Sequence, residues 1–141
     1  MSKKAVGLIL FFVIAAIFYY SWLPEPNFST ETYLPKWLLN WSNQYYNLRT
    51  SIPFIAVGFL LEDLTQQMSS IEYINRILNF IQNIAISIII VFIAEGGQIL
   101  IQKRNPDLID VFYGILGSLI GGLLYYLGTM LFSFKRSGNE K

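Results

Sequence analysis

The sequence predicts an all-α, polytopic membrane protein with four transmembrane helices and a short interfacial amphipathic helix. Three observations predict it. Hydrophobic residues make up 54% of the 141-residue chain and charged residues only 13%, with a mean hydropathy of +0.47, which is apolar for a soluble chain of this size. Aromatic residues reach 16%, as in proteins with aromatic belts at the membrane–water interface. The apolar residues also gather into long runs separated by polar segments, and one run carries polar residues at helical spacing.

The same composition excludes several function classes. A net charge of +1 offers no basic surface for nucleic acid. The chain has no cysteine and no histidine. Disulfides, thiolate or imidazole metal ligands and Ser–His or Cys–His dyads are therefore absent. Chemistry must come from carboxylates, Arg, Lys, Tyr, hydroxyls or backbone. Nothing in the sequence calls for a cofactor, and the carboxylates are too scattered to predict a metal site.

The length suits one domain, 1–141. The first run, residues 5–23, follows Lys3 and Lys4. It is long for the apolar part of a signal peptide, and Tyr19-Tyr20-Ser21-Trp22 offers no small-residue cleavage site. It reads as an uncleaved span ending near Pro24, with Tyr19, Tyr20 and Trp22 at the interface. A polar loop follows. Over residues 36–48, Trp37, Trp41 and Tyr45 recur every four residues, which predicts one short helix lying in the headgroup zone.

Residues 49–64 form the second span or a re-entrant segment. Their apolar centre, Ser51 to Leu61, is short for a crossing unless the flanking residues extend the helix. Pro53 is expected in a first helical turn, where its missing N–H costs least. Glu62 to Arg76 reads as a polar connector.

The third span, residues 78–101, organises the chain. Asn79, Gln82, Asn83, Ser87, Glu95, Gln98 and Gln102 mark one broad face, interrupted by Val91. From Asn79 to Gln102 a helix rises about 36 Å, enough to cross. Its polar face should turn to the bundle interior. The fourth span, residues 108–132, carries Gly114, Gly117 and Gly121 on the same face as Asp110. Glycines at this spacing let helix backbones approach closely.

With four spans and the N-terminus inside, the inner segments hold Lys3, Lys4, Arg76, Lys135, Arg136 and Lys141. The outer segments hold Lys36, Arg49, Lys103 and Arg104. The surplus favours a multi-pass bacterial cell-membrane protein with both termini inside, whereas with three spans the balance reverses.

The candidate site comprises Arg49, Glu95, Gln98, Arg104, Asp107 and Asp110. A carboxylate inside a membrane-length run needs a partner or a task. Arg104 can satisfy Glu95, Asp107 or Asp110 across a tight hairpin, which is a purely structural role. Alternatively, these residues form a polar pocket in which Arg49 or Arg104 binds a phosphate or carboxylate and Glu95 accepts a proton. Ser118 reads as a packing residue, since no histidine exists to activate it.

These motifs resemble the VanZ-like family of small bacterial membrane proteins. The resemblance rests on Pro53-Phe54, Gly58-Phe59-Leu60-Leu61, Glu95-Gly96-Gly97-Gln98, Arg104, Asp107-Leu108-Ile109-Asp110, and then Gly117 and Gly121, with Arg49 before the Pro-Phe helix. It covers about Arg49 to Tyr126. Gly114 stands where the family usually has Asn, and Ala56 where it often has Pro. The resemblance implies a multi-helix envelope protein of a family named for low-level resistance to the glycopeptide teicoplanin.

Three functions follow as expectations. The first is an outer-facing pocket for an anionic membrane lipid, a lipid-linked cell-wall intermediate or a lipoglycopeptide. The second is a membrane enzyme acting on a lipid phosphate or glycolipid, with Glu95 or Asp110 as base and Arg104 stabilising negative charge. The third is an assembly partner, a homo-oligomer joined through its glycines. A small transporter, requiring oligomerisation, is a fourth.

Overall fold

A computed structural model describes residues 2–24, 35–68, 73–101 and 105–138. Among the described residues the chain is all-helical, with no strands. The helices are α1 (Lys3–Ser21), α2 (Lys36–Gln44), α3 (Tyr46–Gln66), α4 (Tyr73–Gly97) and α5 (Leu108–Gly138). A 3₁₀ turn, Gln98–Leu100, follows α4.

Three stretches are long and apolar enough to cross a membrane: Lys3–Ser21, Arg76–Leu100 and Leu108–Leu131. Their outer surfaces expose Phe11, Phe12, Ile81, Phe92, Phe112 and Leu127. Meanwhile Glu62, Asn83, Ser87, Glu95, Asp110 and Ser118 are buried. Polar residues inside and large apolar ones outside is the distribution expected where the surrounding solvent is lipid.

α3 is the most enclosed helix. It packs on α1 and α4, and most extensively on α5. The residues flanking its apolar centre do join it, giving one helix of 21 residues. It rises about 31 Å at 1.5 Å per residue. Pro53 therefore lies in the interior of the helix, not in the first turn. There it removes the amide that would bond the Arg49 carbonyl. The expected connector is also much shorter, because Glu62–Gln66 belong to α3 and Tyr73–Arg76 to α4. Glu62 is 1% exposed. The predicted interfacial segment 36–48 is divided: α2 ends at Gln44, Tyr45 leaves helical geometry at φ −113° and ψ 61°, and α3 begins at Tyr46.

α3 and α5 run parallel and in register, sixty positions apart. Thr50 bonds Asp110 near their N-terminal ends and Gln66 bonds Tyr126 towards their C-terminal ends. Glycines draw them together. A Cβ on Gly58 would overlap the backbone of Ser118, one on Gly117 that of Ser51, and one on Gly121 that of Ile55. The glycines expected to join separate chains thus close a seam within this one, and Gly58 contributes from the other side.

α4 runs antiparallel to both and completes an interior of layers four residues apart. Phe54, Val91 and Gly114 meet in one layer, since a Cβ on Gly114 would lie 2.9 Å from a Val91 methyl and 3.3 Å from the Phe54 ring. Glu62 approaches Gly122 in another, where Asn83 lies beside Glu62. The helical repeat puts Ser87 between Asn83 and Val91, at the level of Gly58 and Ser118. The end layer, on the other side of Phe54, holds Thr50, Glu95 and Asp110.

Candidate functional site

The end layer borders a cavity of about 310 Å³. Four of the six predicted site residues line it: Arg49, Glu95, Gln98 and Asp110. They come from α3, from the end of α4 with its 3₁₀ turn, and from the start of α5. Glu95, Gln98 and Asp110 are each 5–6% exposed.

A hydrogen-bonded chain joins α4 to α1. Gln98 Nε2 donates to Glu95 Oε2 at 2.8 Å and to Ser21 Oγ at 3.1 Å. Ser21 Oγ donates to the Ala94 carbonyl at 3.0 Å, and Trp22 Nε1 donates to the same oxygen at 3.1 Å. The Trp22 indole lies against Gly97, whose missing side chain makes room for it. Gly96 has nothing near its Cβ position. On the opposite wall, Thr50 Oγ1 donates to Asp110 Oδ1 at 3.0 Å. The Arg49 guanidinium lies 4.1 Å from the centre of the Tyr46 ring, a cation–π arrangement that holds the charge at the wall.

The rest of the lining is mixed. Tyr20, Trp41, Ser42 and Tyr46 contribute aromatic and hydroxylic groups, and Ala16, Ile17, Leu38 and Pro53 contribute apolar ones. Such a mixed lining offers charged, hydrogen-bonding and apolar contacts within one cavity.

Two predicted site residues fall outside this picture. Asp107 is exposed and does not line the cavity. Its carboxylate accepts from the Ile109 amide at 2.8 Å, an N-cap for α5. Arg104 lies outside the described residues, and with it the predicted hairpin ion pairs. The aromatic stripe does not act as one face either: Trp41 lines the cavity while Trp37 is 72% exposed. Tyr20, Ser21, Ser42, Tyr46 and Thr50 also line the cavity, brought there by the packing of α1, α2 and α3. Only the i, i+3 spacing of Tyr46 and Arg49 signalled any of them.

Among the described residues no group of three or more acidic side chains is arranged to hold a metal ion. No family model, curated protein or solved structure matches the chain.

Proposed function

We propose that the chain is a four-span, VanZ-like envelope protein whose outer-facing cavity holds the headgroup of an anionic lipid or lipid-linked wall intermediate. Through that ligand it lowers susceptibility to teicoplanin-type glycopeptides or to lipopeptides. The observation that carries the reading is the convergence of Arg49, Glu95, Gln98 and Asp110 on one cavity beside Trp41 and Tyr46. Arg49 supplies charge for a phosphate or carboxylate. The two carboxylates accept hydroxyl or amine donors on the same headgroup.

The alternating directions of α1, α3, α4 and α5 support four crossings. They put Lys3, Lys4, Arg76, Lys135 and Arg136 at the end away from the cavity, which the positive-inside rule assigns to the cytoplasm. Single cysteines at Asn43, Asn105 and Ser137 test this in the cysteine-free chain. An impermeant maleimide on whole cells is expected to label the first two and not the third; labelling of Ser137 with Asn105 protected reverses the orientation of the cavity.

Arg49→Ala and Glu95→Ala proteins, inserted at wild-type levels, are expected to lose antibiotic protection. Full protection by both removes the cavity from the function. The joint burial of Glu95 and Asp110 in one cavity also favours an enzyme acting on a lipid phosphate. Turnover of a polyprenyl phosphate by purified protein, lost in Glu95→Gln, would select that reading over simple binding.

A further inference from the structure

A further buried carboxyl, Glu62, lies at the other end of the α3–α4–α5 interior, beyond the Phe54, Val91 and Gly114 layer. It is 1% exposed. Because α3 and α5 run parallel and in register, Glu62 stands level with Gly122, and Gln66 with Tyr126. Gly122 has no side chain to displace the Glu62 stem, whose Cγ lies 3.6 Å from the position of a Cβ there. Helical side chains lean towards their own N-terminus, so Tyr126 leans back towards Gly122 and its hydroxyl meets the carboxyl.

That hydroxyl has three polar neighbours: Glu62 Oε2 at 3.1 Å, Gln66 Nε2 at 3.2 Å and the Arg76 carbonyl at 3.3 Å. A phenol has one proton to donate and lone pairs to accept with. Gln66 Nε2 can only donate and the Arg76 carbonyl can only accept. If the phenol donates to that carbonyl, its oxygen is free to accept from a protonated Glu62, and all three contacts are hydrogen bonds at once. An ionised Glu62 competes with the carbonyl for the one proton, and one contact is lost. Charge points the same way. Glu62 Oε1 has no hydrogen-bond partner, and the Asn83 amide beside the carboxyl is neutral. No Lys or Arg among the described residues forms an ion pair with Glu62. On its own helix the neighbouring charge is Asp63, which is also negative. Arg76 of α4 and Lys3 and Lys4 of α1 are exposed, and α5 offers only the phenols of Tyr125 and Tyr126. A buried carboxylate charge is far too costly to stand alone.

We infer that Glu62 is a proton-binding site, protonated at neutral pH, which exchanges its proton through the Tyr126 hydroxyl with a cavity between α4 and α5. This cavity of about 300 Å³ is lined by Arg76, Ile77, Phe80, Leu123 and Tyr126. On release, the Glu62 O–H bond breaks as the phenol oxygen takes that proton, and the phenol passes its own to water in the cavity. Carboxylate, neutral phenol and hydronium result, and no other reactant is needed. The Phe54, Val91 and Gly114 layer separates the site from the Arg49 cavity, so exchange runs towards the Arg76 end alone. The inference does not depend on the ligand of the Arg49 cavity.

Infrared spectroscopy of the purified protein at neutral pH, in a detergent without ester groups, is the test. Wild type is expected to show a protonated-carboxyl C=O band that Glu62→Gln lacks. Tyr126→Phe should move that band to higher wavenumber, because the carboxyl loses a hydrogen bond. The same variant should delay the deuterium shift of the band after transfer to heavy water. Reversible unfolding in mixed micelles supplies a second readout. The unfolded carboxyl is ionised at neutral pH, so folding takes up one proton and stability falls as pH rises. The folded ratio should drop about tenfold per pH unit until the folded site ionises. Glu62→Gln mimics the neutral acid, so it should match wild type at neutral pH and lose that slope. If it fails to fold, the presence of the band and its shift in Tyr126→Phe decide the matter. A wild-type spectrum in which no band depends on Glu62 or Tyr126 overturns the site, as does a slope unchanged in Glu62→Gln. Deuterium exchange as fast in Tyr126→Phe as in wild type overturns the route through the phenol.

Discussion

Replacing Gly58 with alanine separates close helix packing from generic helix propensity. A Cβ at Gly58 would lie 2.8 Å from the Ser118 carbonyl carbon and 2.9 Å from its Cα. Unstrained carbon contacts lie at about 3.5–4.0 Å. The obstructing atoms are backbone in a helix, so no rotamer change relieves the overlap, and α3 and α5 must part by about 1 Å. In lipid, helix association rests on packing and not on hydrophobic transfer, so the seam loses its main attraction. The expected cost is at the upper end for overpacking, about 3 kcal/mol, or roughly a hundredfold in the folded ratio. Gly128 has nothing within 4 Å of its Cβ position. There alanine should be neutral or stabilise by up to about 1 kcal/mol, because it is the better helix former. Reversible unfolding in mixed micelles with increasing SDS measures both. Wild-type stability of Gly58→Ala, or equal loss in Gly128→Ala, would refute the reasoning. Because the seam is internal, Gly58→Ala should change stability without changing the mass of the detergent-corrected particle.

Phe54→Ala should leave a void between the two polar compartments; a ~100 Å³ void at ~24 cal/mol per Å³ costs about 2.4 kcal/mol in the same unfolding assay, whereas Phe54→Leu should cost less than about 1.5 kcal/mol. Thr50→Val removes the hydroxyl that donates to buried Asp110 and should cost about 1–3 kcal/mol, with Thr50→Ser restoring most of it. Trp22→Phe loses the bond to the Ala94 carbonyl and should loosen α1 by about 1 kcal/mol, seen as faster amide exchange along α1. Trp41→Ala should leave unfolding nearly unchanged, because Trp41 is only partly buried at the cavity rim, while antibiotic protection falls.

The membrane class was legible in the sequence, as were α1, α4 and α5, because long apolar runs are a local property. Glu95 and Gln98 were readable together from their spacing on one helix, and Asp110 from its place on the glycine face of the next. Asp107 was grouped with them because sequence cannot tell a carboxylate that caps a helix from one that points into a cavity three residues later. The tertiary structure decided α3. Its apolar signal is diluted by Arg49, Glu62 and Asp63, which it tolerates because neighbouring helices, not lipid, surround most of it. Glu62 looked like part of a loop for the same reason: burial depends on what packs against a residue, and α4 and α5 are distant in sequence. The glycine spacing on α5 announced close packing but not its partner. Only the matching register of Gly58 against Ser118 and of Gly121 against Ile55 shows that the partner is α3, because backbone contact needs a complementary helix whose position no local pattern specifies.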